Sequence, residues 1–291
     1  MTTSQFRSYL FPAGLKEALS LLKSKGEKAK VIGGGTTFFE LAQRDLFSDA
    51  DCIIDLKNLE LSFVKQLPSG FVIGASTTMS ELAESEVLRL PYFGALLDAI
   101  RSVEPIQVRN VATIGGTVCA SIPFFDVPVA LCTLEASARI ASLVGERTIP
   151  IEDVFVDNLV SCLSMDELLI EIVVPKVESV SCFLKHGRSG FDIGTVSCGV
   201  RLGVDQKGKI TAPRVFLGNV SSIPYHVYEV EKILNGKSIE ACLDVDIRGA
   251  LEAFEPISSL QGSKEYKRDV SKVLLSRALT ICNKRAGSIF S

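Results

Sequence analysis

The chain has 291 residues, of which 47% are hydrophobic and 22% charged, with 34 acidic against 31 basic side chains and a net charge of −3. That length suits two domains of about 100 to 200 residues each, and a slightly acidic chain with no basic run interleaved with aromatics excludes an evident nucleic-acid surface. No apolar run approaches the ~18 residues that span a bilayer, and Met1 to Leu10 lack a basic stretch ahead of an apolar core, so no transmembrane segment and a cytoplasmic location are expected.

Leu15, Ala18, Leu19 and Leu22 recur at helical spacing after Pro12, with Gly26 as a C-cap, which predicts an amphipathic helix. A strand over 29–32 then runs into Gly33-Gly34-Gly35-Thr36-Thr37 and a second helical pattern carried by Phe38, Phe39, Leu41 and Ala42. With a further strand over 52–56, these form a small α/β unit around a glycine-rich strand–turn–helix junction. Glycine accepts φ > 0 and has no Cβ, so successive N–H groups there can converge on an anion beside a helix N-terminus. A phosphate-bearing ligand is expected.

Strands over 62–66 and 71–74 flank Leu67-Pro68-Ser69-Gly70 as a hairpin turn. Ala75-Ser76-Thr77-Thr78 leads into helical stretches near 79–89 and 92–102, and a second glycine-rich stretch, Arg109 to Ser121, follows. Its Gly115-Gly116 pair lies between Thr113 and Thr117, and read as a second turn it would clamp a pyrophosphate against the first. A helix over 127–134, a strand-like 136–143 and an aliphatic strand over 167–174, closed by Pro175, complete this part. A domain boundary falls near 175–179. Beyond it, strands over 182–186, 195–204 and 209–218, the last two joined by the turn Asp205-Gln206-Lys207-Gly208, precede helical patterns at 226–234, 239–253 and 263–286.

Asp55 stands where a Rossmann acid would, but Phe38 occupies the place of the third glycine, where a bulky ring holds helix and strand apart. No Lys-Ser or Lys-Thr follows the glycines, so a P-loop fails as well. The eight cysteines contain no C-x-x-C and the histidines are only His186 and His226, which leaves no pattern for a zinc site or an iron–sulfur cluster. Cys119, inside the second glycine stretch, reads as a small hydrophobe packed behind the turn.

Val31-Ile32-Gly33-Gly34-Gly35-Thr36-Thr37, Ile54-Asp55-Leu56, Ile73-Gly74-Ala75, Arg109-Asn110 through Thr113-Ile114-Gly115-Gly116-Thr117, Asp166-Glu167-Leu168-Leu169, Phe191-Asp192-Ile193 and Ser263 through Arg268 follow one another in a known order. From end to end the chain resembles the FAD-binding medium subunit of the molybdenum hydroxylases, the xanthine dehydrogenase and carbon monoxide dehydrogenase group. The resemblance implies an α+β fold. It consists of a two-subdomain FAD-binding unit of the vanillyl-alcohol oxidase (PCMH) type over 1–176, divided at about 56, and a C-terminal domain over 177–291 of three-stranded antiparallel sheet plus helices.

Carried over residue by residue, the resemblance implies that Val31, Ile32, Gly33, Gly34, Gly35, Thr36 and Thr37 meet the pyrophosphate and ribityl region of a non-covalent FAD. Ala112, Thr113, Gly116, Thr117 and Ala120 would hold it from the other side. Asp126 matches a cofactor-side aspartate, which by itself would read as a helix N-cap; Leu169 matches a leucine on the flavin ring, otherwise strand core. Lys185 matches a lysine at the ring's polar edge, otherwise an exposed strand lysine. Thr37 and Thr117 depart from the family's usual Asp or Ser and Asn, Ala120 replaces a polar residue of some relatives, and the bulky Phe124-Phe125 reads first as core packing and second as a neighbour of flavin or of another subunit.

The implied function is that of a flavoprotein subunit in an αβγ complex, possibly doubled. Electrons would come from a molybdenum-cofactor large subunit through a two-iron two-sulfur small subunit, reach FAD here, and leave to NAD, a quinone or oxygen, with no catalytic side chain or metal ligand in this chain. A free-standing FAD oxidoreductase or carrier, and a non-enzymatic α/β scaffold, are the alternatives.

Overall fold

The structure, a computed structural model, describes residues 6–190 and 192–287. Residues 1–5 of the N-terminal stretch and Phe191 of the Phe191-Asp192-Ile193 motif lie outside the described residues.

The first unit comprises β1 (Ser8–Leu10), α1 (Leu15–Lys25), β2 (Ala29–Ile32), α2 (Phe38–Gln43) and β3 (Cys52–Asp55). The strands are parallel in the order β1-β3-β2, and every residue of the central β3 is buried. α1 lays Ala18, Leu19 and Leu22 against the sheet, each leucine contributing about 1.5–3 kcal/mol of transfer free energy. Gly26 ends the helix at φ +54°, as the sequence predicts.

The hairpin of β4 (Val64–Leu67) and β5 (Gly70–Gly74) leads to α3 (Met79–Glu84), α4 (Gly94–Arg101), α5 (Ile106–Arg109), α6 (Ile114–Cys119) and α7 (Asp126–Thr133). Then come β6 (Ser137–Ser142), β7 (Gly145–Pro150), the small hairpin β8 (Phe155–Asp157) and β9 (Val160–Ser161), and β10 (Leu168–Pro175). Five of these strands form an antiparallel sheet in the order β4-β5-β10-β6-β7. β10 lies at its centre, with Ile172 and Val174 fully buried, which explains its aliphatic run. The helical stretches expected at 79–89 and 92–102 are shorter, because Ser85 and Leu90 adopt extended backbone and split off one-turn 3₁₀ segments.

The third unit comprises β11 (Ser179–His186), β12 (Val196–Val204), β13 (Ile210–Gly218), β14 (Tyr225–His226), α8 (Tyr228–Leu234), α9 (Ile247–Ala250) and α10 (Lys264–Gly287). The expected three strands are joined by a fourth of two residues, in the order β11-β12-β13-β14. A helix over 239–253 does not form: Val245 is extended and Asp246 starts α9 afresh, its carboxylate accepting from the Gly249 amide at 3.0 Å. α10 packs on β11 and β12 from one side, and α4 and α7 cover the sheet from the other. α7 is therefore buried along its whole length between the two larger sheets. Arg285 of α10 clasps Asp98 of α4 through two bonds of 2.9 and 3.0 Å, and the Phe183 amide donates to the same carboxylate.

Candidate functional site

Where the three units meet, the chain encloses a cavity of about 480 Å³, within the usual range of small-molecule sites. Every residue that the resemblance assigned to the cofactor lines it: Val31, Ile32, Gly33, Gly34, Gly35, Thr36 and Thr37 on one wall, Ala112, Thr113, Gly116, Thr117 and Ala120 on the facing wall, and Asp126, Leu169 and Lys185 toward the third unit.

The two glycine stretches differ in kind. After β2, Gly35 takes φ +73°, a conformation that glycine adopts freely, and the chain turns into α2 with no side chain capping the helix. Among the described residues, the amides of Gly34, Gly35, Thr36 and Thr37 donate to no protein acceptor. Gly34 is glycine for another reason: an added Cβ would stand 1.6 Å from the Val111 carbonyl oxygen, so this residue lets the two walls touch.

The second stretch is not a turn. Thr113 is the N-cap of α6, and Gly115 and Gly116 lie in its first helical turn. Their donors are already engaged: Ile114 N–H to Thr77 O at 3.0 Å, Gly115 N–H to Ala75 O at 2.9 Å, Gly116 N–H to Thr113 Oγ1 at 3.2 Å, and Thr117 N–H to Thr113 O at 3.0 Å. Gly115 is required because a Cβ would come within 2.7 Å of Ala75. The second stretch, expected as a turn, is thus a helix whose first amides are engaged within the protein, facing the donor-rich turn across the cavity.

Asp126 is the first residue of α7 rather than its N-cap, which is Phe125. Its Oδ2 accepts from Ser102 Oγ at 2.8 Å and lies 3.0 Å from Lys185 Nζ, which also donates to the Ser102 carbonyl at 2.6 Å. Burial pushes the Asp126 carboxyl up from its ordinary range, against the pull of Lys185 and Ser102. Lys185 is only 14% exposed, so it is no surface lysine. Leu169 is buried in β10 and also forms cavity wall.

Phe124 and Phe125, expected as core, are half-buried and line the cavity in an edge-to-face pair. Cys119 is half-buried on the same wall, and burial pushes its thiol up to about 12. Asp55 is absent from the lining; it accepts from Tyr9 Oη at 2.7 Å and from the Lys57 amide at 2.9 Å. The sequence reading passed over Ser76, Met79, Val103 and Gly194, all cavity-lining. The hydroxyl run 75–78 is the one signal that marked Ser76.

Buried Ser76 Oγ and Asp126 Oδ1 have no hydrogen-bond partner although both residues border the cavity. Buried polar atoms are rarely left so. With the open amides of 34–37 and apolar walls at Val103, Val108 and Leu169, they fit a ligand that joins an anionic centre to flat, partly polar rings.

Residues 4–177 match the family of the FAD binding domain in molybdopterin dehydrogenase, and residues 181–281 match the CO dehydrogenase flavoprotein C-terminal domain. The chain belongs to this family of FAD-binding dehydrogenase subunits. The glyceraldehyde dehydrogenase medium chain of Sulfolobus acidocaldarius is 30% identical to this flavoprotein over 275 residues, covering 93% of this chain and 96% of the relative. The carbon monoxide dehydrogenase medium chain of Hydrogenophaga pseudoflava is 28% identical, covering 93% and 95%. Among solved structures, reconstituted CO dehydrogenase from Oligotropha carboxidovorans superposes with a TM-score of 0.89 at 26% identity, over 98% of this chain and 100% of that one. The flavoprotein is an oxidoreductase subunit with FAD as its cofactor. Among its described residues, no helix is long and apolar enough to cross a membrane.

Proposed function

We propose that the cavity is the FAD site and that this subunit carries electrons between a partner's iron–sulfur clusters and an external acceptor such as NAD or a quinone. The observation that carries the reading is the run of open amides at 34–37 in the same cavity as the orphaned Ser76 and Asp126 oxygens. Those amides would hold the pyrophosphate, with the Thr36 and Thr37 hydroxyls beside it. Thr113, Gly116, Thr117, Ala112 and Ala120 would face it as a close-fitting wall, while Asp126, Leu169 and Lys185 would border the flavin ring.

When bound, FAD supplies a redox centre that can take up and release electrons. The chain's own contribution is to bind and orient it: backbone dipoles offset the pyrophosphate charge without a titrating group, and the Lys185–Asp126 pair presents a fixed charge arrangement at the ring end. Asp126, the buried carboxylate of the cavity, is held by Ser102 and Lys185 at the ring end. That supports a division of labour in which a molybdenum-cofactor large subunit performs the oxidation and a two-iron two-sulfur small subunit relays the electrons, in an αβγ assembly working in the cytoplasm. We further divide the chain at residues 176 and 177, between the unit that would hold FAD and the C-terminal domain that closes over it.

Two measurements test this. Ala120→Trp, which fills the cavity, is expected to abolish FAD uptake by the purified chain, followed by visible absorbance; full occupancy in that variant would place the site elsewhere. Purification from native cells is expected to bring down two further subunits, whereas a lone chain that oxidises an organic substrate unaided would contradict the assembly.

A further inference from the structure

Lys267 is a fully buried cation that the proposed site does not use. It lies on the first turn of α10, its side chain is fully buried, and its Nζ donates to the Asn219 carbonyl at 2.6 Å. Asn219 follows β13 and holds a left-handed backbone, φ +59°, which asparagine tolerates better than most residues. It is 6% exposed, and its other bonds diverge to both sides of the cavity mouth. Its Nδ2 donates to Gly194 O at 2.6 Å and Thr195 O at 3.3 Å, and its amide donates to Pro123 O at 2.9 Å.

Two of these recipients, Gly194 and Pro123, lead directly to the cavity. Gly194 is cavity wall, and it packs so closely on Lys185 that an added Cβ would stand 2.8 Å from the Lys185 Cγ. Pro123 precedes Phe124, Phe125 and Asp126, all cavity wall. One side of Asn219 therefore sets the backbone against which Lys185 lies, and the other sets the segment that ends in Asp126. A shift of either segment would alter the 3.0 Å Lys185–Asp126 contact.

We infer that Lys267 and Asn219 form a positioning brace for the ring end of the FAD site, fixing the mutual placement of Lys185 and Asp126. The inference deepens the proposed function and rests on its reading of the cavity. A lysine kept only as filler would be unfavourable here. Burial lowers its pKa, and holding an ammonium out of water costs free energy unless a specific partner receives it. The carbonyl of a left-handed asparagine, already committed on its other faces, gives that charge a specific task.

The test compares Lys267→Met, Asn219→Gly and Ala120→Trp with the wild-type full chain, reading FAD affinity, the visible circular dichroism of bound flavin, and thermal unfolding of the apoprotein. Lys267→Met is expected to weaken FAD binding at least tenfold and change the flavin dichroism, with the apoprotein still unfolding cooperatively and its Tm lowered by no more than the loss of one buried hydrogen bond. Asn219→Gly keeps the left-handed backbone and the main-chain bonds but loses those to Gly194 and Thr195, so it is expected to do the same and keeps the inference testable if Lys267→Met does not fold. FAD affinity within twofold of wild type and an unchanged dichroism in either folded variant overturns the brace. If Ala120→Trp also binds FAD normally, the reading of the cavity fails first; if Ala120→Trp loses FAD and the other two do not, the brace alone fails.

Discussion

At the scale of single residues, the Asp126 carboxylate concentrates the electrostatics of the site. Its pKa is raised by burial, with Lys185 and Ser102 opposing. A carboxyl whose folded pKa lies above its unfolded value stabilises most at low pH, and that contribution is lost as pH rises through the folded pKa. Lys185→Met removes the opposing cation, so the folded pKa climbs further and the window extends upward. Urea unfolding of the apoprotein at pH 5 and pH 8 is expected to show the variant losing about 1–3 kcal/mol more than wild type between the two, the size of a buried group left without its partner; parallel losses would contradict the pairing. Gly34→Ala is expected to lower apoprotein stability by about 1–3 kcal/mol through overpacking against Val111, and an unchanged unfolding midpoint would show that the two walls do not touch there. Cys119 stays a thiol at neutral pH because burial holds its pKa near 12. Cys119→Ala is expected to keep FAD and its reduction, at a cost of about 1 kcal/mol or less; lost reduction with flavin still bound would give the thiol a role.

Elements were legible wherever a period or a breaker was strong. α1, the β4–β5 hairpin, β10 and the three long strands of the third unit follow from helical spacing, a Pro-Ser turn and aliphatic runs. β7 escapes the sequence pattern because its residues are mostly exposed and give no apolar alternation, and β14 because two residues carry no period. α6 reads as a turn in the sequence: its Gly115 answers to Ala75 packed against the helix, a tertiary demand that composition cannot distinguish from a phosphate loop. One ion pair of β7 does matter to the cavity. Arg147 holds Glu167, a lining residue, through bonds of 2.7 and 2.8 Å, and this bond depresses the Glu167 pKa. The stability it contributes is present above the ordinary carboxylate pKa and is lost as pH falls through the depressed value. Glu167→Gln is expected to cost about 1 kcal/mol at pH 7 and nothing at a pH below that value; an equal deficit at both would show that the charge is irrelevant.

For the whole molecule, the cavity exists only because pieces far apart in the chain converge on it: residues 31–38 from a parallel sheet, 112–126 from the helices over an antiparallel sheet, and 185 and 192–194 from the third unit. Local pattern found the first piece and, read as a turn, the Gly115-Gly116 stretch of the second. The residue-by-residue resemblance named the others, and it could not anticipate Ser76, whose orphaned hydroxyl becomes visible only when the fold surrounds it. α7, buried along its whole length, packs on β12 and β13 of the third unit and on α4 and α6, and carries Asp126 at its first position. The central claim is that the open amides at 34–37, and not the N-terminus of α6, receive the pyrophosphate. A crystal structure of the FAD-loaded chain tests it most directly. The account predicts pyrophosphate oxygens within hydrogen-bonding distance of the Gly34 to Thr37 amides and the flavin ring beside Leu169, Lys185 and Asp126; a pyrophosphate held by the amides of 114–117, or outside this cavity, would contradict it.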